Sequence, residues 1–550
     1  MTQTLRRWAL LIAAGLAGLF FLQPASAADS GRLVTPQWLQ AALAAGDVLL
    51  LDASPAPLHA VKHIAGAVHV DVFAYAGREM PPAAMEQRLQ RWGVSPGRKI
   101  VVMDQGGAYM APRLFFDLYY LGLAAENLFL LDGGMAAWLA AGGAVTAERT
   151  PPPPPGSFRI VTLREEARVR LDEFLVASGD PRRNVLVDAL EPAYHYGQAK
   201  FFDRAGHVPS AVSLPAEDFF NADKTFKPAA EIRRMAHYLG IQPDMTVHAH
   251  CGGGGAAAVP YFALRFLAGY PKVKLYNESQ REWLMDDREL PFWTYNSPHL
   301  KRGMHWLQGW NGGMLRAFGL AQLSLIDVRD PNAYGQGHLP YALNLPAEIF
   351  KAHLQQPAQL AQLASLLGAA GVNDSHEAVV VSDGGLNPRA ALAFLALERL
   401  GQKRVSLLME STDDWGLAGF PLVKQPTTVG PRQSPQDMAV PVASYRVQPQ
   451  VGPRAGVQAS GPVYPRIYIA AGTQPPAAVP DGKWVHLAYQ QLLNSDGRPK
   501  AAKDLLSILT KAGVPRYAEV VCIADDPGEA AVVYFVLKLM GWPDVKVLMV

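Results

Sequence analysis

Val247-His248-Ala249-His250-Cys251-Gly252-Gly253-Gly254-Gly255-Ala256-Ala257-Ala258 reads as a buried strand, a glycine loop and the opening of a helix. The same strand-into-loop step recurs at Val101-Val102-Met103-Asp104 and at Val379-Val380-Val381-Ser382-Asp383, and each loop again opens an apolar helix. Outward from this step, three further landmarks repeat in a fixed order. Upstream stands an apolar strand ending in aspartate: Leu49 to Asp52, Val185 to Asp188, and Leu325 to Asp327. Next comes a histidine before a turn, at His63, His207 and His338. Downstream, a third strand and turn close on Trp138, Trp283 and Trp415. Four landmarks at matching spacings in three segments mark an internal repeat. Strands alternating with helices predict α/β domains, each a mainly parallel sheet flanked by helices. In such sheets ligands sit at the carboxyl ends of strands, where the Asp104, Cys251 and Asp383 loops fall.

A weaker fourth copy follows. Val520-Val521-Cys522-Ile523-Ala524-Asp525 matches the loop-entry strand, with Asp525 read at the Cys251 position. The expected division is repeat one over 29–149, repeat two over 160–296, a linker helix over 297–318, repeat three over 319–424, a Pro-rich linker over 425–465, and repeat four over 466–550. Pro151 to Pro155 predict a stiff polyproline spacer between the first two repeats. Trp306, Trp310 and Met314, at four-residue steps, predict a helix packed on a neighbour.

A chain of 550 residues exceeds one ordinary core, in keeping with several domains. Its net charge of +2 and lack of a basic run argue against a nucleic-acid partner. At the N-terminus, Arg6 and Arg7 precede the apolar stretch Trp8 to Leu22, and Ala25-Ser26-Ala27 supplies a small-x-small cleavage pattern. Residues 1–28 therefore read as a signal peptide, and the mature chain as periplasmic or secreted with no membrane span. An uncleaved anchor is the alternative, although the run is short of the ~20 residues that a spanning helix needs.

Only two cysteines occur, Cys251 and Cys522. They cannot build a thiol zinc site alone, and a single disulfide between them stays open on sequence grounds. Their surroundings differ. Cys522 lies inside an apolar strand and reads as a packed small side chain. Cys251 heads a run of four glycines, which is costly to order and makes sense where backbone N–H groups must converge. Such a nest at a helix start attracts anions and favours a thiolate. Cys251 is thus the candidate nucleophile, and Gly252, Gly253, Gly254, Gly255, Ala256 and Ala257 the candidate substrate-binding loop. No metal motif is present. The glycine run lacks the following Lys-Ser/Thr of a phosphate-binding loop, and Ala257 stands where a Cys-x5-Arg phosphatase loop needs arginine.

The repeated landmarks, the Asp132-Gly133-Gly134 to Trp138 turn and the Cys251 loop resemble the rhodaneses, the thiosulfate and mercaptopyruvate sulfurtransferases. The resemblance implies tandem rhodanese-like domains and a Cys251 persulfide with no cofactor. It implies an anionic sulfur donor, a thiol or cyanide acceptor, and room for a protein acceptor. Asp104, Asp383 and Asp525 resemble the aspartates of inactive family domains. The loop carries no basic residue, so Arg204, His207, Arg265 and Arg281 are the outside candidates for positive charge. A persulfide carrier that hands sulfur to a partner without efficient turnover is the second reading.

Overall fold

The strand runs Val48–Asp52 and Glu377–Val381 are buried along their whole length, as strands covered by helices on both faces must be. The computed structural model describes residues 31–76, 80–354, 356–431, 437–447, 464–476 and 480–549. The proposed signal peptide, 1–28, lies outside them, as does part of the 425–465 linker.

Repeat one contains β1 (Leu33–Val34), β2 (Val48–Asp52), β3 (Val68–His69), β4 (Lys99–Met103) and β5 (Leu128–Leu131), with helices α1 (Pro82–Arg91) and α2 (Met110–Tyr120). Its strands lie in the order β1-β5-β4-β2-β3, all parallel. Repeat two has β6 (Arg168–Val169), β7 (Asn184–Asp188), β8 (Val212–Ser213), β9 (Thr246–His250) and β10 (Val273–Tyr276) in the equivalent order, β6-β10-β9-β7-β8. Its helix α3 (Ala258–Phe262) follows β9 and continues as a π-turn over Ala263–Leu267. Repeat three repeats the order with β11 (Lys301–Arg302), β12 (Leu323–Asp327), β13 (Ala342–Asn344), β14 (Glu377–Val381) and β15 (Arg404–Leu408), and carries α4 (Pro388–Arg399). Two short strands, β16 (Thr428–Val429) and β17 (Ala439–Val440), pair within the Pro-rich segment. Repeat four contains β18 (Arg466–Ala470), β19 (Lys483–His486), β20 (Glu519–Ile523), α5 (Pro527–Met540) and β21 (Val545–Val547). Its order, β19-β18-β20-β21, is the same sheet without the first edge strand.

The landmark residues are structural. Asp52, Asp188 and Asp327 are fully buried and accept the amides of Ser54, Leu190 and Arg329. His63, His207 and His338 each exchange a backbone bridge with the end of their own repeat, at Thr146, Trp293 and Val423. Each also turns Nδ1 toward the carbonyl of a second ring, at His59, His195 and Tyr334, and stacks on that ring.

The chain divides into two compact units. The first holds repeat one and most of repeat two. The second holds repeats three and four, with the short segments Pro192–Val212 and His237–Ile241. Inside the first, α2 packs on α3 through Phe115 against Phe262 and Phe116 against Tyr261, both at 4.9 Å between ring centres. Inside the second, α4 packs on α5 through Phe394 against Phe535, also at 4.9 Å. Each unit is therefore a pair of repeats joined helix to helix, and the second shares one continuous core.

Several sequence expectations need correction. Residues 297–318 are not a free linker helix, because Lys301–Arg302 is the edge strand of the third sheet, paired with Leu407 and Leu408. Trp306 packs on that repeat's core, but Trp310 and Met314 are 50% and 76% exposed, so the stripe is not core. The segment after Pro155 does not stand off as a spacer. Gly156 and Phe158 donate to Gln90 and Val94, and Arg164 donates to Tyr120, fastening the linker along repeat one.

Register moves two positions by one residue. β2 pairs with β4 so that Asp52 faces Met103, and β7 with β9 so that Asp188 faces His250, which makes Asp104 and Cys251 equivalent. In repeat three Asp327 faces Val381, and in repeat four Ala470 faces Ile523. The residues in the cysteine position are therefore Ser382 and Ala524, not Asp383 and Asp525. Asp383 is a surface residue paired with Arg389.

Candidate functional site

Cys251 follows β9 directly and is only 3% exposed, beneath a loop whose Gly253 faces solvent. Its backbone N–H donates to Ser279 Oγ at 3.0 Å, and that hydroxyl donates to the Tyr276 carbonyl at 2.7 Å. Ser279 is fully buried in the left-handed region at φ +55°, where repeat one has Gly134 at +53°. The conformation costs an L-residue roughly 1–2 kcal/mol, which the two hydrogen bonds offset. Its Oγ lies 4.0 Å from Cys251 Sγ.

Sγ accepts one amide, that of Gly254, at 3.1 Å. The cup is thus thinner than the sequence suggests, with one N–H on the sulfur rather than several. Among the described hydrogen bonds, the amides of Gly252, Gly253, Gly255, Ala256 and Ala257 have no protein acceptor. Gly254 sits at φ +82°, and a Cβ there would overlap the Asn277 carbonyl and meet Arg113 Nη1 at 2.9 Å. Only glycine fits.

Two residues of repeat one border the loop, and sequence reasoning missed both. The Tyr109 ring lies against Gly255, and the buried Arg113 reaches Gly254. Burial, and then the charge on Cys251, push the Tyr109 phenol up. Arg113 is the basic group nearest the loop that these contacts identify, and it is itself paired with Asp117 at 3.0 Å. The sequence signal was the helix start after Asp104, which mirrors the one after Cys251. Arg204 and Arg265, two of the proposed outside cations, serve elsewhere. Arg204 and Arg265 bond carbonyls, at Leu290 and at Tyr270 and Pro271, and Arg281 gives its backbone N–H to Gly252. His250 is buried edge-on to Phe174.

The equivalent cups are closed in different ways. In repeat one, Asp104 accepts Gly106 and Ala111 amides at 2.8 and 2.9 Å, so the carboxylate fills its own nest, and burial raises its pKa against those bonds. In repeat three, Ser382 accepts Asn387 Nδ2 at 3.0 Å, and the loop amide of Leu386 is given to Gly497. In repeat four, α5 starts at Pro527, leaving Ala524, Asp525 and Asp526 and no room for a cup. Cys522 is a free thiol within the core, its pKa pushed up by burial. Among the described residues, no cluster suited to a metal and no helix long and apolar enough to cross a membrane occurs.

Comparison with known proteins agrees with this architecture. A model of the rhodanese-like domain matches residues 35–141, 171–286 and 314–418. The probable 3-mercaptopyruvate sulfurtransferase of Pseudomonas aeruginosa is 32% identical over 283 residues, 47% of this chain and 97% of that protein. The thiosulfate sulfurtransferase of Azotobacter vinelandii is 28% identical over 258 residues, 46% of this chain and 93% of its own. The sulfur carrier protein TtuD of Thermus thermophilus is 28% identical over 205 residues, 36% of this chain and 71% of its own. The two sulfurtransferases thus have about the length of one pair of repeats.

Proposed function

The chain belongs to the rhodanese-like family and is a rhodanese-type sulfurtransferase, and from that premise we propose that Cys251 is its working sulfur atom. In the first step Sγ attacks the terminal sulfur of an anionic donor of the thiosulfate or mercaptopyruvate kind. A new S–S bond forms, and the bond between that sulfur and the rest of the donor breaks, its electron pair leaving with the donor fragment. In the second, a thiol or cyanide acceptor attacks the outer sulfur, and Sγ departs as thiolate. The carrying observation is the contrast between cups. The Cys251 loop sets one amide, that of Gly254, on a thiol, whereas the equivalent loop of repeat one gives its Gly106 and Ala111 amides to the Asp104 carboxylate. An amide on the sulfur favours the persulfide anion. Ser279 acts as a positioning residue. No cofactor enters the reaction. The signal-peptide reading of 1–28 supports work in the periplasm or outside the cell.

The similarity to a sulfur carrier protein supports a second reading, in which a protein partner discharges the persulfide. Rapid turnover with small donors and acceptors would favour the enzyme, and a persulfide stable to them the carrier.

Intact-mass measurement after incubation with thiosulfate or 3-mercaptopyruvate tests the assignment. The wild type should gain one sulfur (about 32 Da, the stoichiometry of one persulfide), and Cys251→Ser none. Full transfer activity in Cys251→Ser would overturn it.

A further inference from the structure

Within the second unit, the segment from Trp310 to Leu320 is built inside out. Its polar side chains turn inward. Asn311 is buried, donates Nδ2 to the Pro340 carbonyl at 3.0 Å, and accepts Arg316 Nε at 3.0 Å. The Arg316 guanidinium also lies over the Tyr341 ring, 4.5 Å from its centre. The apolar side chains turn outward. Trp310, Met314, Phe318 and Leu320 are 50%, 76%, 72% and 59% exposed. Backbone bonds fix the arrangement. Asn311 donates to Leu307 at the end of the helix Met304–Trp310, Phe318 to Met314, and Leu320 to Leu315. The result is one compact knuckle tied to the core of repeat three through Leu307. Single exposed apolar residues are ordinary on a protein surface, but four in so short a span form a patch.

Two features select what covers it. With side chains of this size the patch exposes on the order of 500 Å², short of the roughly 800 Å² that each partner gives to a stable protein interface. A second copy or a folded partner gains too little there, whereas a lipid surface needs no matching shape. In addition, no acidic residue stands between Glu289 and Asp327, so nothing in this stretch of chain repels anionic headgroups. We infer that the knuckle docks the protein on a phospholipid surface, with Trp310, Met314, Phe318 and Leu320 entering the boundary between headgroups and acyl chains. Tryptophan is enriched at that boundary, and Trp, Phe and Leu are the side chains that surface-bound segments bury in it. The contact is apolar, because Arg316 is occupied by Asn311 and Tyr341. Repeat three, with Ser382 in the cysteine position, thereby gains a role other than sulfur transfer.

Hydrogen exchange read by peptide mass spectrometry on the full chain tests this, with and without vesicles of phosphatidylcholine and phosphatidylglycerol. The readout is local to the knuckle, so vesicle binding through the apolar stretch Trp8 to Leu22 cannot imitate it. Vesicles should slow exchange in peptides covering Trp310 to Leu320 at least threefold. The slowing should persist at about 1 M salt, where charges are screened within ~3 Å. It should vanish in the double variant Met314→Glu, Phe318→Glu, which alters two largely exposed side chains, and in Trp310→Ser, which serves if the double variant fails to fold. Unchanged exchange in the wild type, slowing released by salt, or slowing that the variants retain would overturn the inference. Slowing that grows with protein concentration in the absence of vesicles would assign the patch to a second copy, and overturn it as well. Sulfur loading of Cys251 plays no part in the measurement, so either result leaves the proposed function untouched.

Discussion

Ser279 holds Cys251 by its backbone, accepting the buried N–H while donating to Tyr276. Ser279→Ala leaves that N–H without an acceptor and should cost about 1–3 kcal/mol in urea unfolding. Sulfur loading should slow with it. Nothing in the sequence singled this residue out, because its role depends on a positive φ and on a contact 28 positions away. Cys251 and its glycines were legible because a costly local composition needs a local reason. Asp132 gives a second residue-scale expectation. It accepts the Phe226 amide at 2.8 Å, and burial raises its pKa to about 6. The folded state thus holds this proton more tightly than the unfolded one, a contribution present below about pH 4 and lost as pH rises through 6. Asp132→Asn does not titrate. Between pH 4 and 7 the wild type should lose about 1–2 kcal/mol relative to that variant, read from urea midpoints.

At the scale of the element, the strand-loop-helix unit was readable because buried parallel strands are short apolar runs that end abruptly. Where they end was less readable. Asp383 and Asp525 stand one residue beyond the strand-end positions held by Ser382 and Ala524, and only pairing with β12 and β18 fixes that count. The loop itself makes a sharp contrast within one glycine run. Gly254→Ala strains a left-handed backbone and drives a methyl into Asn277, so a loss above about 2 kcal/mol and failure of sulfur loading are expected. At Gly253 a Cβ meets nothing within 4 Å, and φ is not positive. Gly253→Ala should stay within about 0.5 kcal/mol of wild type in thermal unfolding. The proline segment misled for a different reason. Its stiffness is intrinsic, but its docking on repeat one comes from hydrogen bonds donated by the residues that follow it.

Over the whole molecule, composition and repetition gave four α/β repeats, but not their grouping by twos. That grouping rests on α2 against α3 and α4 against α5, contacts between apolar helices whose partners no periodicity names. The Arg113 and Tyr109 contributions were hidden for the same reason. The second unit keeps the paired plan without a cysteine at the position of Cys251. The turn after β20 is three residues long where the Cys251 loop takes seven from Cys251 to the start of α3 at Ala258. Ala524→Cys should therefore place a thiol on a bare turn, and in a Cys251→Ser background its mass after donor treatment should not change. Point mutation can swap a side chain but cannot lengthen a backbone. In the fourth repeat, recovering a reactive sulfur would take inserted codons, so its silence works as a one-way ratchet.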